Sequence, residues 1–258
     1  MPINDDLGSR MKENYENRAA TALLRRIPVA IRIDGKAFHT FTKGFARPFD
    51  DVLISSMHET MKYLCENIQG CVLGYTQSDE ITLILTDYAT LETAAWFDYE
   101  VQKLCSVSAS MATMAFNRFF TQNAYLYESM DSQFMEAHYK ACNRGAMFDA
   151  RCFNIPKEEV TNLIYWRQLD AARNSVQMVA RANFSHSELQ NLSCRMLQDK
   201  LLNEKGINWN NLPTYQKRGA CCVKGDCGWV VDLDIPEFKG EGRDYIECLI
   251  REDVKTDE

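Results

Sequence analysis

Val29, Ile31 and Ile33 alternate with Ala30 and Arg32, and Asp34 and Gly35 follow. A period of two predicts a strand with one face in a core, and a carboxylate followed by glycine marks its end. The spacing then changes. Over residues 50–69, Leu53, Met57, Met61, Leu64 and Ile68 step by three and four, which predicts a helix packed on a sheet with Gly70 as its C-cap. Two β-prone runs, residues 71–75 and 81–86, flank Gln77-Ser78-Asp79-Glu80 and predict a hairpin with a polar turn. A second long helix is expected within residues 97–120 from Val101, Leu104, Ser108, Met111, Ala112, Ala115 and Phe119. Residues 150–155 read as a further strand before Pro156, and residues 8–24 as a leading helix.

The order β-α-β-β-α-β is that of a ferredoxin-like split βαβ, so the expected class is α+β, an antiparallel sheet with helices on one face. In that topology the first strand lies beside the third, and the end of strand one can neighbour the hairpin turn. Beyond Pro156 the pattern becomes helical. Ser185-His186-Ser187-Glu188 has the form of a capping box opening a helix that stops before Gly206. Residues 208–219 read as loop, and residues 228–235 as a late strand. No repeat, low-complexity tract or linker interrupts the chain, which predicts one catalytic domain over 1–258, with a core at about 27–155 and a helical extension with a strand region at about 156–258.

Composition narrows the function classes. With 258 residues and 46% apolar content the chain can bury a core without disulfide or metal. A net charge of −7 argues against coating nucleic acid by bulk electrostatics, yet leaves room for a local basic groove, for which Arg25-Arg26, Lys43 with Arg47, and Lys217-Arg218 are candidates. Neither a basic leader followed by an apolar stretch nor a bilayer-length apolar run is present, so the expectation is a cytoplasmic protein with no membrane partner. The ten cysteines are then expected as reduced thiols, and Cys221, Cys222 and Cys227 lack the second spaced pair of a zinc site. His58, His138 and His186 lie on predicted helices and read as core or surface histidines without a Cys or Asp partner.

Chemistry concentrates at two places. Asp34 ends a strand and Asp79 sits in a hairpin turn, and the split βαβ order sets both at one sheet rim. Two carboxylates there are the minimum for two-metal phosphoryl chemistry, because Mg²⁺ takes a few carboxylates together with waters and phosphate oxygens. Either residue alone also suits a turn. The segment Gly35-Lys36-Ala37-Phe38-His39 offers backbone amides to a triphosphate, and Ser78 offers a hydroxyl that equally suits the turn.

Three motifs in order carry a resemblance: Arg32-Ile33-Asp34-Gly35-Lys36-Ala37-Phe38-His39-Thr40-Phe41, then Phe45-Ala46-Arg47-Pro48, then Tyr75-Thr76-Gln77-Ser78-Asp79-Glu80. They resemble the R-[IL]-D-G-x-x-F-H-x-F, F-x-[KR]-P and Y-x-Q-S-D-E motifs of the tRNA(His) guanylyltransferase family. Phe148-Asp149-Ala150-Arg151, Trp166-Arg167-Gln168-Leu169-Asp170 and the stretch from Asn208 to Gly219 resemble later blocks. The resemblance implies a polymerase-type palm that extends RNA from its 5′ end, a 3′-to-5′ direction, using ATP or GTP to activate a 5′-monophosphate. By resemblance Asp34, Gly35 and Asp79 hold two Mg²⁺ ions, with Asp34 and Asp79 catalytic. Lys36, Ala37, Phe38, His39 and Ser78 receive the triphosphate, Glu80 is a nearby acid, and Arg47 and Lys103 contact phosphate or the activating nucleotide. Implied partners are tRNA, ATP, GTP and other NTPs, in a homo-oligomer such as a tetramer. One departure matters: where members dedicated to the histidine tRNA carry H-I-N-N, this chain has Ala172-Arg173-Asn174-Ser175. That favours the guanylyltransferase-like branch, which repairs 5′-truncated tRNAs by templated addition. A nucleotidyl cyclase on the same palm and a non-catalytic RNA-binding module are the alternatives.

Overall fold

A computed structural model of the chain describes residues 6–128 and 134–251. Its elements run α1 (Asp6–Met11), β1 (Val29–Gly35), α2 (Phe38–Phe41), α3 (Asp51–Asn67), β2 (Cys71–Gln77), β3 (Glu80–Leu85), α4 (Val101–Glu128), α5 (Met135–Arg144) and β4 (Phe148–Asn154). They continue through α6 (Lys157–Asn183), α7 (His186–Leu189), α8 (Cys194–Lys205), α9 (Thr214–Arg218), β5 (Ala220–Gly225), β6 (Gly228–Asp232) and α10 (Asp244–Ile250).

One six-stranded sheet carries them, in the order β4-β1-β3-β2-β5-β6, with every adjacent pair antiparallel. The first strand lies beside the third as the split βαβ order requires. Alternation along the strands sorts the side chains into two layers. Val29, Ile31, Ile33, Ile81, Leu83 and Leu85 face α3 and α4 in the larger cluster, where Met57, Met61, Leu64, Phe116 and Phe120 meet them. Ala30, Ile84, Leu73 and Tyr75 face the other way, against Val160 and Ile164 of α6 and Ile246 and Ile250 of α10. The two palm helices thus cover one face, and the C-terminal extension closes the other. Among the described residues no helix is long and apolar enough to cross a membrane.

Several boundaries differ from the pattern. The leading helix is broken: α1 gives way to a π turn over Lys12–Glu16 and a 3₁₀ turn over Asn17–Ala19, with no buried residue in any of them. The capping box exists, with Ser185 N–H donating to Glu188 Oε2 at 2.9 Å, but it opens only the single turn α7. Ser193 opens the longer α8, and Gly206, left-handed at φ 68, closes it. Ile68 rather than Gly70 caps α3. Gly70 has φ +79, and a Cβ there would lie 2.7 Å from the Thr86 carbonyl oxygen, so its bareness lets the hairpin begin. Strand β5 escaped notice because both its faces are buried: Cys221 enters one cluster and Cys222 the other, leaving no alternation to read. That same pleat disperses the cysteine group, since Cys227 sits exposed in the turn after β5. Helix α5 buries only His138 and Ala141, too little to give an apolar period.

His138 also corrects its sequence reading, because it has an aspartate partner. Asp50 caps α3 by accepting from Leu53 N–H at 3.0 Å, accepts from Ala46 N–H at 3.0 Å, and meets His138 Nε2 at 2.9 Å. His58 is half-buried edge-on to Tyr215, and desolvation pushes its imidazole down to about 4.

The larger core centres on Phe116, fully buried with ring centroids 5.3–5.6 Å from those of Phe38, Phe41, Phe120 and Phe148. Phe116→Ala is therefore expected to cost about 3–5 kcal/mol, through lost transfer energy and a cavity whose walls are rings from three elements. Urea unfolding of the variant measures this, and a loss below about 1 kcal/mol would contradict the packing described.

Candidate active site

The end of β1 and the β2–β3 turn are joined through the main chain: Gly35 N–H donates to the Asp79 carbonyl at 3.1 Å. Asp34 pairs in register with Glu80 on one side and Asp149 on the other, so three carboxylates share one face of the sheet end. Asp79 is set by Ser78, which takes the left-handed φ of +52 and donates its hydroxyl to Asp79 Oδ1 at 2.9 Å. Burial, followed by repulsion from Glu80 and Asp149, raises the Asp34 carboxyl above the usual range. Asp79 is raised as well, chiefly by burial, with the Ser78 hydrogen bond pulling against it. Both sites thus disfavour the charge they carry at neutral pH, a situation that a bound cation reverses.

An all-oxygen donor set of two carboxylates and the Gly35 carbonyl fits a hard divalent cation. Among the described residues no group of three His, Cys, Asp or Glu side chains is arranged as a metal site. Mg²⁺ held partly by phosphate oxygens requires none.

The segment after β1 is less open to ligand than its sequence implies. Lys36 N–H is already spent on the Met147 carbonyl at 2.8 Å, which leaves the exposed Lys36 side chain to act. A Cβ on Gly35 would sit 2.3 Å from Phe38 Cδ2, so the Phe38 ring itself demands the glycine. That ring is buried among Phe41, Phe116 and Phe148, and only the Phe38 backbone can face a nucleotide. Ala37, left-handed at φ 54, turns the chain into α2, whose first amides at Phe38 and His39 lack intrahelical acceptors. Beside them opens a cleft of about 610 Å³, lined by His39, Arg47, Ser78 and Asp79 on the palm side and by Met178 and Arg181 of α6.

Two predicted residues fall outside this constellation. Lys103 is ion-paired with Glu100 at 3.4 Å near the start of α4. The turn of α4 level with the site is at Thr113, whose hydroxyl accepts from Phe148 N–H, and ten residues of helix separate the two by roughly 15 Å. Glu80 is buried and fully engaged. Its Oε1 accepts from Arg167 Nε at 2.7 Å, and its Oε2 from Arg32 at 2.7 Å and from a second Arg167 nitrogen at 3.0 Å. Arg167 also donates to Asp170 at 2.9 Å, and Asp170 accepts from Arg173. Glu80 therefore locks the β2–β3 hairpin to α6, with both its oxygens engaged by arginines. Asp149, Arg32, Arg167 and Arg181 were missed as site residues. A signal existed for Arg32, which lies two residues before Asp34 and so on the same face, whereas Arg181 is brought in only by the path of α6.

A sheet of this order with paired carboxylates at the β1 end and hairpin turn defines a palm-type domain equipped for nucleotidyl transfer. Comparison with known proteins specifies it further. The tRNAHis guanylyltransferase (Thg1) family model matches residues 8–156, so the chain belongs to that family of nucleotidyltransferases. The tRNA(His) guanylyltransferase of Saccharomyces cerevisiae is 27% identical over 216 residues, covering 78% of this chain and 84% of the yeast protein. A bacterial tRNA(His) guanylyltransferase (Thg1)-like protein solved in complex with ATP superposes with a TM-score of 0.82 at 44% identity, covering 95% of this chain and 99% of its own. A bacterial Thg1-like protein in complex with GTP gives a TM-score of 0.78 at 41% identity, with the same coverage.

Two outcomes follow from the electrostatics. Removing one partner of a buried, hydrogen-bonded ion pair leaves the other charge stranded, so Arg167→Ala should lose about 3 kcal/mol in denaturant unfolding, Arg32 giving Glu80 partial relief. The raised carboxyls of Asp34 and Asp79 make folding favour their protonated forms. Their contribution to stability is complete below the unfolded-state value near 3.8 and is lost as pH rises through the higher folded-state values. Asp34→Asn and Asp79→Asn should therefore melt above wild type at pH 7 in EDTA, and the gain should vanish towards pH 3; equal melting at pH 7 would contradict the shifts.

Proposed function

We propose that this protein adds nucleotides to the 5′ end of tRNA in the 3′-to-5′ direction, as a template-dependent 5′-end repair enzyme. The observation that carries the reading is the Gly35–Asp79 main-chain link, which holds two charge-averse carboxylates together beside a cleft of nucleotide size. The ATP and GTP complexes of the bacterial Thg1-like proteins support it.

The reaction has two steps. An oxygen of the RNA 5′-monophosphate attacks the α-phosphorus of ATP, expelling pyrophosphate and leaving an adenylylated 5′ end. The 3′-hydroxyl of an incoming NTP then attacks the RNA 5′-phosphorus, and AMP departs as the phosphodiester forms. Two Mg²⁺ ions held by Asp34, Asp79 and the Gly35 carbonyl would lower the pKa of the attacking hydroxyl and neutralise phosphoryl charge. Everything else is positioning. The amides of Phe38 and His39 receive triphosphate oxygens, the Ser78 hydroxyl joins them once cation binding releases it from Asp79, and Lys36 and Arg47 supply positive charge at the exposed side. His39 lines the nucleotide cleft.

Template control is supported by what replaces H-I-N-N. Arg173 is tied to Asp170, and Ser175 is buried and accepts from Trp209 Nε1 at 3.0 Å, so both are committed to contacts within the protein. Base pairing inside the RNA then supplies the sequence information.

Asp34→Ala and Asp79→Ala should each abolish addition to a 5′-truncated, 5′-monophosphorylated tRNA while circular dichroism stays native. Near wild-type turnover at saturating Mg²⁺ in either variant would sink the two-metal assignment. Exchanging anticodons between truncated tRNA(His) and another truncated tRNA should leave addition unchanged, and changing the base opposite the gap should change the nucleotide added. G added regardless of that base, or addition that follows the anticodon, overturns the template reading.

A further inference from the structure

Trp166 is half exposed although its ring is among the largest apolar surfaces in the chain. It is also held. The Arg167 guanidinium carbon lies 4.5 Å from the indole centroid and that of Arg32 5.4 Å, and both guanidiniums are anchored on the buried Glu80. A tryptophan whose position is fixed by two cations, themselves fixed by one carboxylate, is a rigid aromatic surface and no loose side chain. Its place follows from the sheet. Arg32 shares a strand face with Asp34, one pleat away at roughly 7 Å, so the indole stands within a side chain's reach of the catalytic rim. Leu169, one turn further along α6, is also half exposed and widens the apolar surface. Arg151, the register partner of Arg32 on the edge strand β4, extends into solvent beside them.

Apolar surface bordered by cations at the edge of an acidic protein suits one chemistry, an unstacked nucleobase followed by its phosphate. We propose that Trp166 is a stacking platform for a terminal nucleobase of the RNA acceptor end, with Arg151 meeting the adjoining phosphate, and that it positions the 5′ end for attack at the Asp34–Asp79 rim. This rests on the reading of the protein as an RNA 5′-end nucleotidyltransferase. RNA is favoured over the free nucleotide as occupant because the nucleotide-sized cleft is lined by the 38–50 segment, the hairpin turn and the far end of α6, and does not include Trp166. Trp166 is a positioning residue, coupled to the chemistry through Arg32 and Glu80.

The test uses the full chain with a 5′-truncated, 5′-monophosphorylated tRNA, and separately with ATP alone. RNA should quench tryptophan emission in wild type, and Trp166→Phe should remove most of that quenching although Trp96, Trp209 and Trp229 remain. Trp166→Ala should weaken RNA binding roughly tenfold with ATP binding unchanged, and Trp166→Phe should restore most of the affinity, since any aromatic face can stack. Arg151→Gln should weaken RNA binding and flatten its salt dependence by about one phosphate contact. An unchanged RNA Kd in a folded Trp166→Ala variant overturns the proposal. So does a variant that loses ATP affinity and keeps RNA affinity, which would assign the platform to the free nucleotide. If wild-type protein binds the tRNA but adds no nucleotide, the functional reading fails while the stacking measurement stands on its own.

Discussion

A buried carboxylate between two arginines holds the working parts of this molecule in one frame. Glu80 begins β3, directly after the Ser78–Asp79 turn, and its oxygens are claimed by Arg32 on β1 and Arg167 on α6. A desolvated charge is tolerable only when fully paired, so these three residues constrain one another's positions tightly. Through them the hairpin bearing Asp79, the strand bearing Asp34 and the long helix of the C-terminal extension are fixed together. The extension is thereby part of the site, although the family match ends at residue 156.

The rim beside that lock works against its own electrostatics. Asp34 and Asp79 lie where burial and repulsion from neighbouring carboxylates raise their proton affinity, and the main-chain link from Gly35 to Asp79 keeps them from spreading apart. Strain is stored nearby, in the left-handed backbones of Ala37 and Ser78, each adjoining a residue assigned to metal or phosphate. On the proposed two-metal reading such a site is prepared for cations and phosphoryl groups before they arrive, which is how positioning lowers a barrier without side-chain chemistry of its own.

Around this point the division of labour is unequal. On the proposed reading the main chain of the 35–39 segment offers most of the groups for phosphate, because rings from Phe38, Phe41 and Phe45 are drawn into the α3–α4 core and leave only their backbone outward. Side chains act from the opposite wall, where α6 contributes Met178 and Arg181 to the cleft and Trp166 to the sheet face beside Asp34.

The order of strands and helices, the neighbourhood of β1 and the hairpin, and the carboxylates at their ends could be read from the chain alone, because periodicity of two or three to four residues reports which face of a local element is buried. The motif from Arg32 to Phe41 and that from Tyr75 to Glu80 pointed to the same place. What periodicity does not carry is the path of α6, whose Arg167 meets Glu80 across 87 residues of chain. Only the tertiary structure decided that Glu80 faces a lock and not a ligand, that the Lys36 amide is already spent, and that His138 completes the Asp50 cap. Each of these is a long-range hydrogen bond or ion pair, chosen by where packed helices come to rest, and a residue's type and spacing leave that choice open.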